Sequence, residues 1–190
     1  MKNSSRINAR TSKLLAAFRS RLVRERERAI PALAALRSPP LKELREMAER
    51  SPYTVERRCA LDVLRRINDP SLKRLAVRAL KDPGMSIRRV ALTAVADLGG
   101  PSAARAIAPF LRDSSGGVRV LAAELLGDLK DKRITATLIR ALKDAQWYVR
   151  LAAIRSLEKI DDPRSRAALK KAARDSRRCV AEAARQALGK

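Results

Sequence analysis

A repeat register constrains this chain more than any other feature. Most of its 190 residues align with a period of 31. One column reads Ala60, Ala91, Ala122, Ala153 and Ala184; another reads Arg57, Arg88, Arg119 and Arg150 and breaks at Ala181. A third reads Asp82, Asp113, Asp144 and Asp175, with Ser51 one period earlier, and a fourth reads Leu64, Val95, Leu126, Leu157 and Leu188. Pro70, Pro101 and Pro163 share a column in which Lys132 is the exception. Unrelated residue types held at one spacing of this size mark a repeat architecture.

Each period holds two helical patterns. Val118, Leu121, Ala122, Leu125, Leu126 and Leu129 recur at the i, i+3, i+4, i+7 spacing of an amphipathic helix. A polar break, Lys130-Asp131-Lys132, follows, and then a second stripe of Ile134, Leu138, Ala141 and Leu142. Elsewhere the break reads Asp69-Pro70, Gly100-Pro101 or Asp162-Pro163, and an Asp before a Pro is a good helix start. The period therefore predicts helix A of ~13 residues, a turn, helix B of ~11 residues and a second turn. Only Phe18, Tyr53, Phe110, Trp147 and Tyr148 are aromatic, so the core is built from Leu, Ala, Val and Ile, which favours helix over sheet. Two helices this short cannot bury their stripes alone; stacked neighbours do it for them.

The expected fold is therefore all-α, a right-handed α-solenoid of stacked antiparallel helix pairs. Four repeats fall at 53–82, 84–113, 115–144 and 146–175, with a capping helix at 177–190. A degenerate repeat at 25–51 precedes them. In it Arg26 and Ala29 lie one period before Arg57 and Ala60, Pro31 interrupts the first helix, and Pro39-Pro40 makes the turn.

The run 113–129, DSSGGVRVLAAELLGDL, resembles the HEAT-like repeat first described in phycobilisome lyases. The pattern recurs as Asp144…Val149-Arg150…Ala153 and Asp82…Ile87-Arg88…Ala91, and the resemblance covers about residues 24–190. Proteins of this superfamily include adaptors, bilin lyase subunits, di-iron hydroxylases and, more distantly, alkylpurine DNA glycosylases. The hydroxylase needs repeated His-Glu pairs, and this chain has no His. The glycosylase uses a catalytic Asp and an aromatic cleft, whereas the aromatics here are scattered. The resemblance implies that the Asp ending helix B pairs with the Arg six residues later, as Asp82–Arg88, Asp113–Arg119 and Asp144–Arg150. Bidentate pairs of this kind fix the register of a turn. It also implies that the B helices line the concave surface.

The absences are informative. Without His there is no Ser-His-Asp triad, no His metal site and no imidazole base. Cys59 and Cys179 are too far apart for a zinc spacing or a disulfide framework, which fits a reducing compartment. Cys59 shares a column with Val90, Leu121 and Ala152 and reads as core. Cys179 opens the last helix beside Arg177 and Arg178, with no base to make it a nucleophile. Trp147-Tyr148 is expected to pack between repeats or lie on the surface. No catalytic residue, cofactor site or metal site is expected, and lyase-subunit or glycosylase activity stands as the alternative. The longest apolar run, Ala29 to Leu36, contains Pro31 and is too short to span a membrane.

The chain carries 43 Lys plus Arg against 20 Asp plus Glu, a formal net charge of +23. At 46% apolar residues it is not a disordered basic tail. The basic charge is unevenly placed. Segments 71–81, 102–112, 133–143 and 164–174, the four B helices, hold fourteen basic residues and no acid. Twelve of them are the candidate nucleic-acid contacts: Lys73, Arg74, Arg78, Lys81, Arg105, Arg112, Arg140, Lys143, Arg166, Lys170, Lys171 and Arg174. Arg133 and Arg164 complete the set. Arg74, Arg78 and Lys81 share one helix face, and Arg140 with Lys143, and Lys171 with Arg174, take equivalent places. Pro109 fills the middle slot between Arg105 and Arg112.

Helix-dipole complementarity accounts for Lys81, Arg112, Lys143 and Arg174 at the negative ends, but not for Lys73, Arg74 or Arg166 near the positive ones. A one-sign stripe is the footprint of polyanion binding. Duplex DNA or structured RNA, read by backbone and shape, is the first candidate, because few aromatics are present to stack on single strands. An acidic protein partner is the second. Membrane insertion is not expected, because packing consumes the apolar stripes.

The first 24 residues carry Lys2, Arg6, Arg10, Lys13, Arg19, Arg21 and Arg24 with no acid. Leu14, Leu15, Phe18, Leu22 and Val23 line one face of a helix from about Ser12. A basic arm or an N-terminal capping helix is the main reading, with an organelle transit peptide as the alternative. The expected location is the cytoplasm, with the nucleoid or ribosome as possible sites.

Overall fold

The computed structural model describes residues 8–189, and every regular element among them is helical. The chain divides into an N-terminal body ending at Ala94 and a C-terminal body starting at Val95. The first holds α1 (Ala9–Ala16), α2 (Val23–Ala34), α3 (Leu41–Arg50), α4 (Thr54–Arg66) and α5 (Leu72–Ala79); the boundary falls inside α6 (Met85–Leu98). The second holds α7 (Gly100–Ile107), α8 (Gly116–Asp128), α9 (Thr135–Ala141), α10 (Trp147–Ile160), α11 (Arg166–Ala172) and α12 (Arg178–Leu188). Helices α4, α6, α8, α10 and α12 are the A helices of the period, and α5, α7, α9 and α11 the B helices. In the C-terminal body α10 packs between α8 and α12.

The alanine column is the centre of the packing. Ala60, Ala91, Ala122, Ala153 and Ala184 are all fully buried. A small side chain there lets neighbouring A helices approach closely, and Leu64, Val95, Leu126 and Leu157, one turn further on, fill the space beside them. Helices α8 and α10 approach closely. A Cβ on Gly127 would lie 2.8 Å from the Ser156 Cα. The Ser156 hydroxyl sits 2.7 Å from the Ala123 carbonyl of the neighbouring helix and 2.8 Å from the Ala152 carbonyl of its own. Pairs one full period apart also meet: Arg58 Nη2 donates to Glu27 Oε1 at 2.8 Å, and Lys159 Nζ to Asp128 Oδ1 at 2.7 Å.

The turn from helix A to helix B repeats in backbone form where the sequence does not repeat. Asn68, Gly99, Lys130 and Asp161, one period apart, all take a positive φ, from 48° to 68°, and Gly99 differs in its ψ of −170°. The next residue then starts helix B in three repeats, and in the first Asp69 Oδ1 accepts from the Ser71 N–H at 2.9 Å. Asp131 Oδ1 accepts from the Arg133 N–H at 2.9 Å, and Asp162 Oδ1 from the Arg164 N–H at 3.0 Å. Asp162 Oδ2 also accepts from Thr135 Oγ1 at 2.8 Å, which ties the turn to the preceding repeat.

Two sequence expectations change. The B helices have seven or eight α-helical residues, shorter than expected, because 3-10 turns make up the rest. Those turns open helix B at Lys132–Ile134 and Pro163–Ser165 and close it at Ala108–Arg112, where Pro109 removes a backbone donor. Pro31 does not interrupt its helix either: α2 runs through it to Ala34. The proline lies in the last turn, where its carbonyl still accepts from the Ala35 N–H at 2.9 Å.

Residues 8–20 pack on the repeats. Phe18 is fully buried, α1 contacts α2, and the Arg19 guanidinium sits 5.1 Å from the centre of the Tyr53 ring. Arg19 also pairs with Glu56, which is only 3% exposed and accepts from Ser51 Oγ at 2.5 Å. Ile87, Val118, Val149 and Val180 occupy the Glu56 column in later repeats. The first repeat therefore buries a carboxylate at an aliphatic position, and the N-terminal segment supplies its cation.

Candidate anion-binding surface

The ladder arginines come first, because their charge is already committed. Arg57, Arg119 and Arg150 each grip a carboxylate with two nitrogens. Arg119 Nε and Nη2 donate to Asp144 at 2.8 and 3.0 Å, and Arg150 donates to Asp175 at 2.7 and 2.8 Å. Arg57 does the same to Asp82 at 2.8 and 3.1 Å. These side chains are nearly buried, and Arg150 holds Asp175 below the usual carboxylate range.

The ladder exists, but the expected partner was wrong. The carboxylate comes from the Asp 25 residues later, at the end of the same repeat. The Asp six residues earlier contributes its backbone carbonyl: Arg88, Arg119 and Arg150 each donate Nη1 to the oxygens of Asp82, Asp113 and Asp144 at 2.9–3.0 Å. Arg57 makes the same contact to the Ser51 carbonyl at 2.7 Å. Ser51 supplies that main-chain oxygen but no carboxylate, and Arg26, 25 residues before it, has a buried Nε without a hydrogen-bond partner. Each arginine thus ties the turn before its repeat to the turn after it.

All twelve candidate cations are exposed. In the N-terminal body Lys73 and Lys81 point to solvent, but Arg74 and Arg78 share a counterion. Their Nη1 atoms donate to Glu49 Oε1 at 2.8 and 2.6 Å. Glu49 comes from α3, the B helix of the degenerate repeat, which the four-helix charge count left out. The hydrogen bond from Arg74 pulls its carboxyl below the ordinary value. Arg133 and Arg164, outside the twelve, pair with Asp131 and Asp162 at 2.7 and 2.5 Å.

The C-terminal body differs. Among the described residues, Arg105, Arg112, Arg140, Lys143, Arg166, Lys170, Lys171 and Arg174 make no ion pair within 4.0 Å. Arg105 is near enough to Asp131 to help lower its pKa, behind the larger effect of the Arg133 hydrogen bond. Between the ends of neighbouring B helices lies a groove of about 320 Å³. Arg112, Arg140 and Lys143 stand at its rim, and the Arg119–Asp144 pair lies against it.

The smaller features have structural places. Cys59 is fully buried, and that burial raises its thiol to about 11. Cys179 is exposed. Trp147 and Tyr148 meet edge to face, 5.8 Å between ring centres, and the Tyr148 hydroxyl packs against Gly116 of the preceding repeat. Among the described residues no group of three or more His, Cys, Asp or Glu gathers to hold a metal, and no helix is long and apolar enough to cross a membrane.

Stacked helical hairpins, closed by arginine forks and carrying exposed basic B helices, define an α-helical repeat protein of the solenoid class. The HEAT-repeat family matches residues 41–119 and 104–189, and the chain belongs to that family. No curated protein is significantly similar in sequence. Among solved structures, YibA of Escherichia coli is 19% identical, with a TM-score of 0.67 over 96% of this chain and 72% of that one. A designed armadillo repeat protein in complex with the peptide (KR)4 is 14% identical, with a TM-score of 0.60 over 93% and 97%. The CpcE–CpcF complex of phycocyanin lyase from Nostoc sp. PCC7120 is 20% identical, with a TM-score of 0.52 over 98% and 66%. At these identities the likeness concerns the fold alone.

Proposed function

We propose that this chain is a non-catalytic polyanion-binding repeat protein whose helix-B cations hold the phosphate backbone of nucleic acid, duplex DNA or structured RNA, without strong sequence reading. One observation carries this: eight exposed cations on α7, α9, α11 and the turns after them have no ion-paired carboxylate among the described residues. These eight keep their charge available, as do exposed cations outside the B helices such as Arg155 and Arg177, and what sets them apart is their grouping on the B-helix segments. Arg supplies a fork suited to phosphate oxygens, and Lys supplies a point charge. Phosphate contacts of this kind position a duplex without reading its bases.

A second reading has its own support. Glu49 between Arg74 and Arg78 demonstrates that B-helix arginines accept a carboxylate. The designed armadillo protein of similar fold is in complex with the cationic peptide (KR)4, and a basic surface calls for the opposite charge in its partner. An acidic protein segment on the C-terminal body is the corresponding partner.

Charge reversal separates a specific surface from bulk charge. Arg140→Glu and Lys171→Glu should each weaken binding to a duplex by on the order of tenfold, because each removes one phosphate contact and adds a repulsion. Arg155, exposed on α10, is the control. An equal loss from Arg155→Glu means that net charge, and not the B-helix surface, governs binding.

A further inference from the structure

The groove beside Arg140 exists twice, two periods apart. In the N-terminal body it is lined by Arg57, Leu75, Arg78, Lys81 and Asp82 and measures about 250 Å³. In the C-terminal body the same columns read Arg119, Thr137, Arg140, Lys143 and Asp144, and the groove measures about 320 Å³. The column that decides occupancy reads Glu49 in the first and Leu111 in the second. The first groove contains its own anion: the Glu49 carboxylate, 16% exposed, accepts from Arg74 and Arg78. The second keeps Arg140 and Lys143 in the columns of Arg78 and Lys81, has Ala136 in that of Arg74, and has no acid in the Glu49 column. There Arg140 Nη2 turns to Thr137 Oγ1 at 3.1 Å.

The carboxylates that do line the second groove are already engaged. Asp144 is held by the Arg119 fork, and Asp113 Oδ1 accepts from the Ser115 N–H at 2.8 Å. In the second groove Arg112 joins Arg140 and Lys143 in the lining. Three cations around a groove with no free acid suit a phosphate group, whose oxygens can accept from all three.

We infer that this groove is a seat for one phosphate group, held by Arg112, Arg140 and Lys143 at the position that Glu49 fills in the first groove, and that Glu49 confines phosphate binding to the C-terminal body. The inference deepens the nucleic-acid reading above and rests on it for the source of the phosphate.

Arginine side-chain NMR on the full chain tests it. Inorganic pyrophosphate should shift the Nε–Hε signals of Arg112 and Arg140 at lower concentration than those of Arg74 and Arg78. In Glu49→Gln, Arg74 and Arg78 should respond over the same range as Arg140, and the salt slope of duplex binding should steepen by about 1. Arg140→Gln, an exposed change, should lose the Arg112 response and keep the helical circular dichroism of the parent. An equal response of all four arginines in the parent protein, or no effect of Glu49→Gln, overturns the proposal. If pyrophosphate behaves as expected and no nucleic acid binds, the seat stands and the nucleic-acid reading falls. If a polyglutamate peptide shifts Arg140 and pyrophosphate does not, the seat belongs to an acidic protein and the phosphate assignment is overturned.

Discussion

At Gly127 a missing Cβ sets the distance between two helices. Any side chain there meets the Ser156 backbone at 2.8 Å, and backbone cannot move aside as a flexible side chain can. Gly127→Ala should therefore destabilise the protein by ~1–3 kcal/mol, although alanine is the better helix former. The check is urea unfolding with a lower midpoint and an unchanged slope; equal or greater stability would show that α8 and α10 have room to spare. Other single residues escape the pattern for physical reasons. Asn68, Gly99, Lys130 and Asp161 share a positive φ but no side-chain chemistry, so the column is invisible to residue matching. Glu56 sits where the period demands an aliphatic residue, and only the docked N-terminal segment explains it.

Among elements, the period itself was legible: apolar spacing, Asp-Pro turns and the alanine column predict the A and B helices, and those helices form. The partner in the arginine ladder was not, because a contact across 25 residues depends on how helix B folds back along helix A. The acid at Glu49 was missed because α3 stood outside the four helices counted, although it neighbours α5 in space.

The ladder also fixes a pH dependence. Hydrogen bonding from Arg150 lowers the Asp175 pKa, and Arg164 lowers that of Asp162. A carboxylate depressed in the folded state contributes its stability in full above the unfolded value, about 3.9, and loses it as pH falls further. Stability should thus hold from neutral pH to about 4 and fall between about pH 4 and 2. Arg150→Lys keeps the charge and loses the fork, so it should lower stability at neutral pH and flatten the acid decline. Urea midpoints measured at both pH values check this, and an unchanged acid decline in Arg150→Lys would remove the ladder as its cause.

For the whole molecule, the net charge of +23 resolves into parts with different roles. Arg57, Arg119 and Arg150 are committed to forks within the repeats, Glu49 balances two arginines of the N-terminal body, and the eight exposed helix-B cations of the C-terminal body have no ion pair among the described residues. The central claim is that these cations bind phosphates, and salt dependence measures that most directly. Affinity for duplex DNA and structured RNA, measured on the full chain from about 50 to 200 mM salt, should fall by roughly 10³–10⁵ if six or more phosphates are engaged, with log K linear in log salt. Binding that is absent, or that does not change with salt, contradicts the account.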